Sequence, residues 1–181
     1  MNITVIGKGN VGGGLANLWR AAGHEVQEIG KEGGDASGAD VLLIAVPGGA
    51  IADALGQVSG IDGKPTIDAT NSFGARNEQH ESLAHEVKSI IGGPTSKSFN
   101  LNFAAIYDKV AEQRVRPSMP YVAEDAARDV TEQLIRDAGY DPISAGGLDK
   151  AAVQEQGIGL IFAVSQASGP FFYRMASPDE L

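Results

Sequence analysis

The chain has 181 residues, 43% of them hydrophobic and 20% charged, with a formal net charge of −9 and no cysteine. That length suits one domain, or one domain with a small appendage, and the composition is that of a globular protein. An acidic chain with scattered Lys and Arg is a poor partner for nucleic acid or an anionic membrane, and the missing thiol excludes disulfides, thiolate metal sites and cysteine nucleophiles.

In chain order, the first strand is expected at Ile3 to Ile6. It breaks into Gly7, Gly9, Gly12, Gly13 and Gly14, where a helix from Asn10 to Ala22 begins, with Leu15, Leu18 and Trp19 at helical spacing. Gly23 closes that helix, and Glu25 to Ile29 forms the second strand. "GKEGGDASGAD" reads as a loop or a very short helix. "DVLLIAVP" is an unbroken apolar run ended by proline, the pattern of a central strand buried on both faces. Ala50 to Val58 is expected to be helical, "KPTIDAT" a fourth strand, Glu78 to Lys88 a helix, and "KSFNLNF" a fifth strand running into a helix. "MPYVAE" is a sixth strand. Glu124 to Ala138 is an amphipathic helix with Ala127, Val130, Leu134, Ile135 and Ala138 on one side, and "YDPISAG" is the last strand. From Leu148 to about Ala167 the pattern is helical again, weakened at Gly157 and Gly159.

This alternation with short connections is that of a doubly wound, mostly parallel α/β sheet. Residues 1–147 read as this Rossmann-type α/β domain and 148–181 as a short C-terminal helical extension. No signal-peptide pattern heads the chain, and the longest apolar stretches, Val41 to Pro47 and Ile158 to Val164, are too short to span a bilayer. A cytoplasmic protein with no membrane partner is the expectation.

"GKGNVG" is G-x-G-x-x-G between a strand and a helix. Gly7 allows a tight turn, Gly9 lets backbone approach a pyrophosphate, and Gly12 lets the helix lie close on the strand. The phosphates would sit on the free N–H groups and the positive end of the helix dipole. Gly13 and Gly14 cost helix stability and read as allowances for packing the helix on the sheet. An acidic residue at the end of the second strand would favour NAD. Glu28 is near, but Lys31 follows Gly30 and would welcome the 2′-phosphate of NADP, with Glu32 beside it opposing. NADP(H) is the expected cofactor.

Together "TVIGKGNVGGGLANLWRAAGHEV", "DVLLIAVP", "IDATN", "KSFN" and "DPISAGGLDKA" resemble the family of NADP oxidoreductases that depend on the deazaflavin coenzyme F-420. Related dinucleotide-binding proteins, including the reductase domain of the STEAP metalloreductases, share the pattern. The resemblance implies hydride transfer between NADP(H) and a flat, flavin-like partner. It places Gly7, Lys8, Gly9, Asn10, Val11 and Gly12 on the pyrophosphate, and Ala45, Val46 and Pro47 beside the nicotinamide half. It sets Phe99, Asn100, Leu101 and Asn102 toward the nicotinamide and a deazaflavin or flavin co-substrate. The family often shows "GSR" after its second strand, where this chain has Gly30, Lys31 and Glu32.

Hydride transfer between planar rings needs positioning more than side-chain chemistry, so no catalytic triad is required. Asn71, after the fourth strand, falls where ligands bind in such sheets, and Asn100 and Asn102 are candidate active-site contacts. His24 reads as a surface residue, and His80 and His85 are too far apart in register to share a helix face. No metal-ligand spacing is evident. Ser98, Ser165 and Ser168 lack a nucleophile-elbow context. Two other functions fit the pattern: a small hydroxyacid- or imine-type reductase, with Lys150 four residues before Gln154, and a non-catalytic NAD(P)H sensor. The apolar C-terminal helix suggests a homodimer seam anchored by Phe162, Phe171, Phe172 and Tyr173.

Overall fold

The computed structural model describes residues 1–72 and 78–180. The end of "DATNSFG", at positions 73 and 74, therefore lies outside the described residues. The elements are β1 (Asn2–Ile6), α1 (Asn10–Ala21), β2 (Glu25–Ile29), β3 (Gly34–Asp35), β4 (Val41–Ile44), α2 (Ile51–Leu55), β5 (Val58–Ser59), β6 (Thr66–Asp68) and α3 (Leu83–Ile91). They continue as β7 (Thr95–Ser98), a 3-10 segment (Ala104–Glu112), β8 (Ser118–Ala123), α4 (Asp125–Asp137), β9 (Asp141–Ser144), α5 (Ala151–Gln156) and α6 (Ile158–Ser168).

Seven strands form one sheet in the order β2-β1-β4-β6-β7-β8-β9, parallel except where β7 meets β8. The chain leaves β1 for β2 on one side and returns to β4 on the other. The carboxyl ends of β1 and β4 thus flank the point where strand order reverses, which is where doubly wound sheets bind ligands.

Strand alternation divides the core. Ile3, Val5, Val41 and Leu43 face Leu15, Trp19 and Leu134, while Ile6, Leu42 and Ile44 face Ile51, Leu55 and Val87. Trp19 is fully buried, and its indole N–H donates to the Leu134 carbonyl at 2.8 Å, which ties α1 to α4. Thr131 is buried on α4 and bonds Ser96 Oγ at 2.7 Å, so that helix meets β7 through a hydroxyl pair as well as apolar contact.

Several expected boundaries move, each for a local reason. β4 stops at Ile44, so Ala45, Val46 and Pro47 form a loop. The helix expected over 50–58 shortens to Ile51–Leu55 because Val58 and Ser59 pair with Gly34 and Asp35, inside the stretch expected to be loop. α3 starts at Leu83, five residues later than expected. Ser82 is extended there, and its Oγ caps the His85 N–H at 3.2 Å. β7 begins at Thr95 and is followed by 3-10 rather than α-helix. The C-terminal helix is divided into a 3-10 turn (Leu148–Lys150), α5 and α6, changing at Gly157, glycine being a weak helix former.

Candidate functional site

Gly7 has φ +115°, and a Cβ there would stand 2.3 Å from the Ala45 carbonyl oxygen and 3.2 Å from Val46 Cγ1. The first loop and the loop after β4 therefore touch, and only glycine allows it. A Cβ on Gly12 would stand 1.9 Å from the Gly7 carbonyl oxygen and 3.0 Å from Val5 Cγ1, so Gly12 lets α1 lie against β1. At Gly9 a Cβ would meet nothing within 4 Å. The space above the start of α1 is open.

Gly9 opens α1 in an extended conformation with no side-chain cap, and the first turn holds no acidic residue. The N–H groups of Asn10 and Val11 thus face that space without a side-chain acceptor, at the positive end of the helix. A pyrophosphate fits this cradle. Gly13 and Gly14 do not serve the packing expected of them. A Cβ on Gly14 would lie 2.6 Å from Tyr107, on the 3-10 segment rather than the sheet, and one on Gly13 would make ordinary contact with Glu28.

Beside the cradle, charged side chains are already sorted. Glu28 accepts a 2.7 Å ion pair from Arg20. Lys8 pairs with Glu32, whose carboxyl that hydrogen bond holds below its usual range. Lys31 is exposed and makes no ion pair with any described residue. The carboxylate that could hold ribose hydroxyls is thus engaged elsewhere, while one cation at the β2 end stays available.

Along the sheet, the structure brings Asn71 and Asn100 together. Asn71 Nδ2 donates to the Asn100 carbonyl at 2.7 Å, and Asn100 Nδ2 donates to Asn71 Oδ1 at 3.2 Å. Gly48, after β4, packs against Asn71, since a Cβ there would stand 2.9 Å from the Asn71 carbonyl oxygen. Phe99, one residue earlier than Asn100, has φ +64° although it is not glycine. Such left-handed backbone is costly for a bulky residue and persists only where surroundings enforce it. Phe99 is buried edge-on to Trp19, with ring centres 5.7 Å apart, as a core residue. Asn102 does not join the pair. It donates to the Ser118 carbonyl at 3.4 Å and accepts from the Tyr173 hydroxyl at 3.1 Å, holding the returning chain end.

Beneath the Asn pair lies a buried polar network that sequence reasoning missed. Lys97 is fully buried on β7, and its ammonium meets Asp68 Oδ2 at 2.6 Å, the Thr70 carbonyl at 2.9 Å and Glu155 Oε1 at 3.0 Å. Glu155 Oε1 also accepts from the Leu83 N–H at 2.9 Å, at the start of α3. The Gln154 amide nitrogen lies 3.0–3.2 Å from the Lys97 carbonyl, the Pro120 carbonyl and Asn100 Oδ1, which share its two hydrogens. One signal was available: Thr95-Ser96-Lys97-Ser98 is polar at every position, yet the strand order expected of such sheets makes it central and buried.

Other expected residues fall elsewhere. His24 is partly buried rather than exposed. Its side chain is 7% exposed and meets Asp137 at 2.9 Å, joining the ends of α1 and α4. His85 Nδ1 lies 2.7 Å from Ser82 Oγ, within the helix cap. Lys150 is exposed and paired with Asp149 at 2.8 Å, away from the buried amide of Gln154. Among the described residues no group of three metal-capable side chains gathers, and no helix is long and apolar enough to cross a membrane.

No protein-family model and no curated protein matches the sequence. Solved structures do match in fold. One, from Arthrobacter sp. FB24, is provisionally assigned as an F-420-dependent NADP reductase. It superposes with a TM-score of 0.81 at 21% identity, over 96% of this chain and 98% of its own. A hypothetical protein from Sinorhizobium meliloti gives 0.72 at 24% identity, over 87% and 91%. An imine reductase from Pseudomonas sp. gives 0.68 at 13% identity, over 92% of this chain but 63% of its own. The shared architecture is the Rossmann-like, mostly parallel sheet with its C-terminal helix, and the imine reductase extends well beyond it.

Proposed function

We propose that this chain is an NADP(H)-dependent oxidoreductase that moves a hydride between the nicotinamide and a planar, flavin-like acceptor such as deazaflavin F-420. The glycine cradle carries this reading. Its backbone geometry tolerates no side chain at Gly7 or Gly12, and it leaves open space and uncapped N–H groups where a pyrophosphate would lie. Gly7, Lys8, Gly9, Asn10, Val11 and Gly12 would hold the phosphates, Lys31 the 2′-phosphate, and Ala45, Val46, Pro47 and Asn71 the nicotinamide half. The nucleotide supplies the hydride, and the protein supplies alignment. Asn100 stands beside Asn71 as a contact for the ring amide or the acceptor, while Asn102 supports the site through Tyr173. A neighbour of similar length assigned to F-420-dependent NADP reduction supports the acceptor class over the imine-type reading, whose example spans a longer chain.

The protein would act as a cytoplasmic homodimer. Phe171, Phe172 and Tyr173, expected as seam anchors, pack back on Phe103, Tyr140 and Asn102 of their own chain, whereas helix α6 has no buried residue and no charge. In a chain of net charge −9, that is the surface on which two copies meet without like-charge contact. A helix apolar on every side also demands cover.

The test is a titration of the purified protein with NADPH and NADH, followed by deazaflavin and then FMN. Tight NADPH binding, with nicotinamide absorbance lost only when a planar acceptor is added, is the expected result. Tight binding with no acceptor turned over would make the chain a nucleotide sensor.

A further inference from the structure

Resting on that reading, we infer that Gln154 and Glu155, on the C-terminal helix α5, are positioning residues for the hydride-transfer half of the site. Three observations converge. Asn100, the partner of Asn71, sits on a turn whose Phe99 has φ +64°. A turn of that kind needs outside restraint to keep one conformation. Gln154 provides it from both sides: its single amide group donates to the Lys97 carbonyl at 3.1 Å and to Asn100 Oδ1 at 3.0 Å, bracketing the turn from residue 97 to residue 100. Its side-chain carbonyl oxygen is buried with no partner among the described residues, so the side chain's polar contacts all run through its amide nitrogen.

Glu155 fixes the layer below. One carboxylate oxygen meets the buried Lys97 ammonium at 3.0 Å and the first N–H groups of α3 at 2.9 and 3.4 Å. Lys97 in turn holds Asp68 and the Thr70 carbonyl, which leads directly to Asn71. The two asparagines are therefore held through β7 and through β6, and both routes end on adjacent residues of α5. Neither Gln154 nor Glu155 reaches the glycine cradle, so their effect is confined to the ring end of the nucleotide. The two functions are therefore separable: nucleotide affinity is set by the cradle, and nicotinamide alignment by α5.

The experiment uses the full chain with NADPH as probe. Gln154→Met keeps the bulk and every ion pair. Glu155→Gln keeps an acceptor for the α3 N–H groups and leaves Lys97 paired with Asp68. For each, NADPH affinity is measured by calorimetry, nicotinamide immobilisation by the fluorescence anisotropy of bound NADPH, and kcat and KM with the acceptor that the wild type uses. The expected result is affinity within about threefold of wild type and a KM for NADPH that barely moves. Nicotinamide anisotropy falls, and kcat drops tenfold or more. Wild-type anisotropy and kcat in both variants would overturn the inference and leave the proposed function standing. Affinity, Tm and kcat falling together would overturn it in favour of a merely structural role. A wild-type protein that binds no NADPH would overturn both readings at the first step.

Discussion

Glu28, on β2, is paired with Arg20, on α1, at 2.7 Å, so the second strand's carboxylate already has a cation as its partner. Lys31 remains exposed nearby, and Lys8 is tied to Glu32. Lys31→Ala should lower NADPH affinity at least fivefold and leave NADH affinity nearly unchanged. Glu32→Gln should act in the opposite sense, since it releases Lys8 and removes a negative charge beside the position proposed for the 2′-phosphate. Both effects should shrink as salt rises, because these groups are exposed. Calorimetric titration at low and high salt checks this. Equal losses for both nucleotides in Lys31→Ala would refute the assignment.

Gly9 and Gly12 separate binding from folding. A Cβ at Gly12 would overlap the Gly7 carbonyl, so Gly12→Ala should destabilise the fold by about 1–3 kcal/mol or more. A Cβ at Gly9 meets open space in an extended backbone, so Gly9→Ala should leave Tm nearly unchanged. On the proposed function its methyl would project where the pyrophosphate would lie, and NADPH affinity should fall tenfold or more. Thermal melts paired with titrations distinguish the two. A Gly9→Ala protein that binds NADPH normally would remove the cradle as the phosphate site.

Tyr107 and Tyr140 are buried edge-on to each other, and neither hydroxyl has a partner among the described residues. Burial raises both phenols above their ordinary value. Their contribution to stability is thus complete below about pH 10, where the unfolded phenols are protonated too, and is lost as pH climbs above that value, because the unfolded chain sheds protons the folded chain must keep. Tyr107→Phe and Tyr140→Phe should flatten alkaline unfolding above about pH 10. At neutral pH each should be neutral or stabilising by up to about 1–2 kcal/mol, since an unpaired buried hydroxyl is removed. Denaturant melts across pH measure both effects. A loss of several kcal/mol at pH 7 would contradict the absence of a hydroxyl partner.

Leu160, on α6, is 71% exposed on a helix with no charge. Leu160→Asp should turn a dimer into a monomer without lowering the secondary-structure content. Sedimentation at micromolar concentration reads this directly. A wild-type monomer would sink the seam.

Much of the fold was legible because period and punctuation are local properties. The run Val41–Ile44 is buried at every residue, as an unbroken apolar strand in a parallel sheet must be. The Gly7–Gly12 spacing carried the cradle for a similar reason, since a turn that excludes Cβ atoms needs glycine at fixed offsets. Boundaries were less legible. α3 begins where Ser82 caps it, and Val58 joins a strand because Gly34 lies beside it, a partner 24 residues away in sequence.

The sequence by itself determined the strands, their alternating helices and the glycine turn, because each depends on neighbours a few residues apart. The tertiary structure alone decided how charges and amides are spent. It sent Glu28 to Arg20, set Asn71 against Asn100, and drew Asn102 away to Tyr173. It also buried Lys97 between Asp68 and Glu155, which stand 87 residues apart in the chain. A charged side chain in water has no preferred partner at such a distance. It acquires one only when folding removes the water and leaves the carboxylates as the groups that can satisfy it.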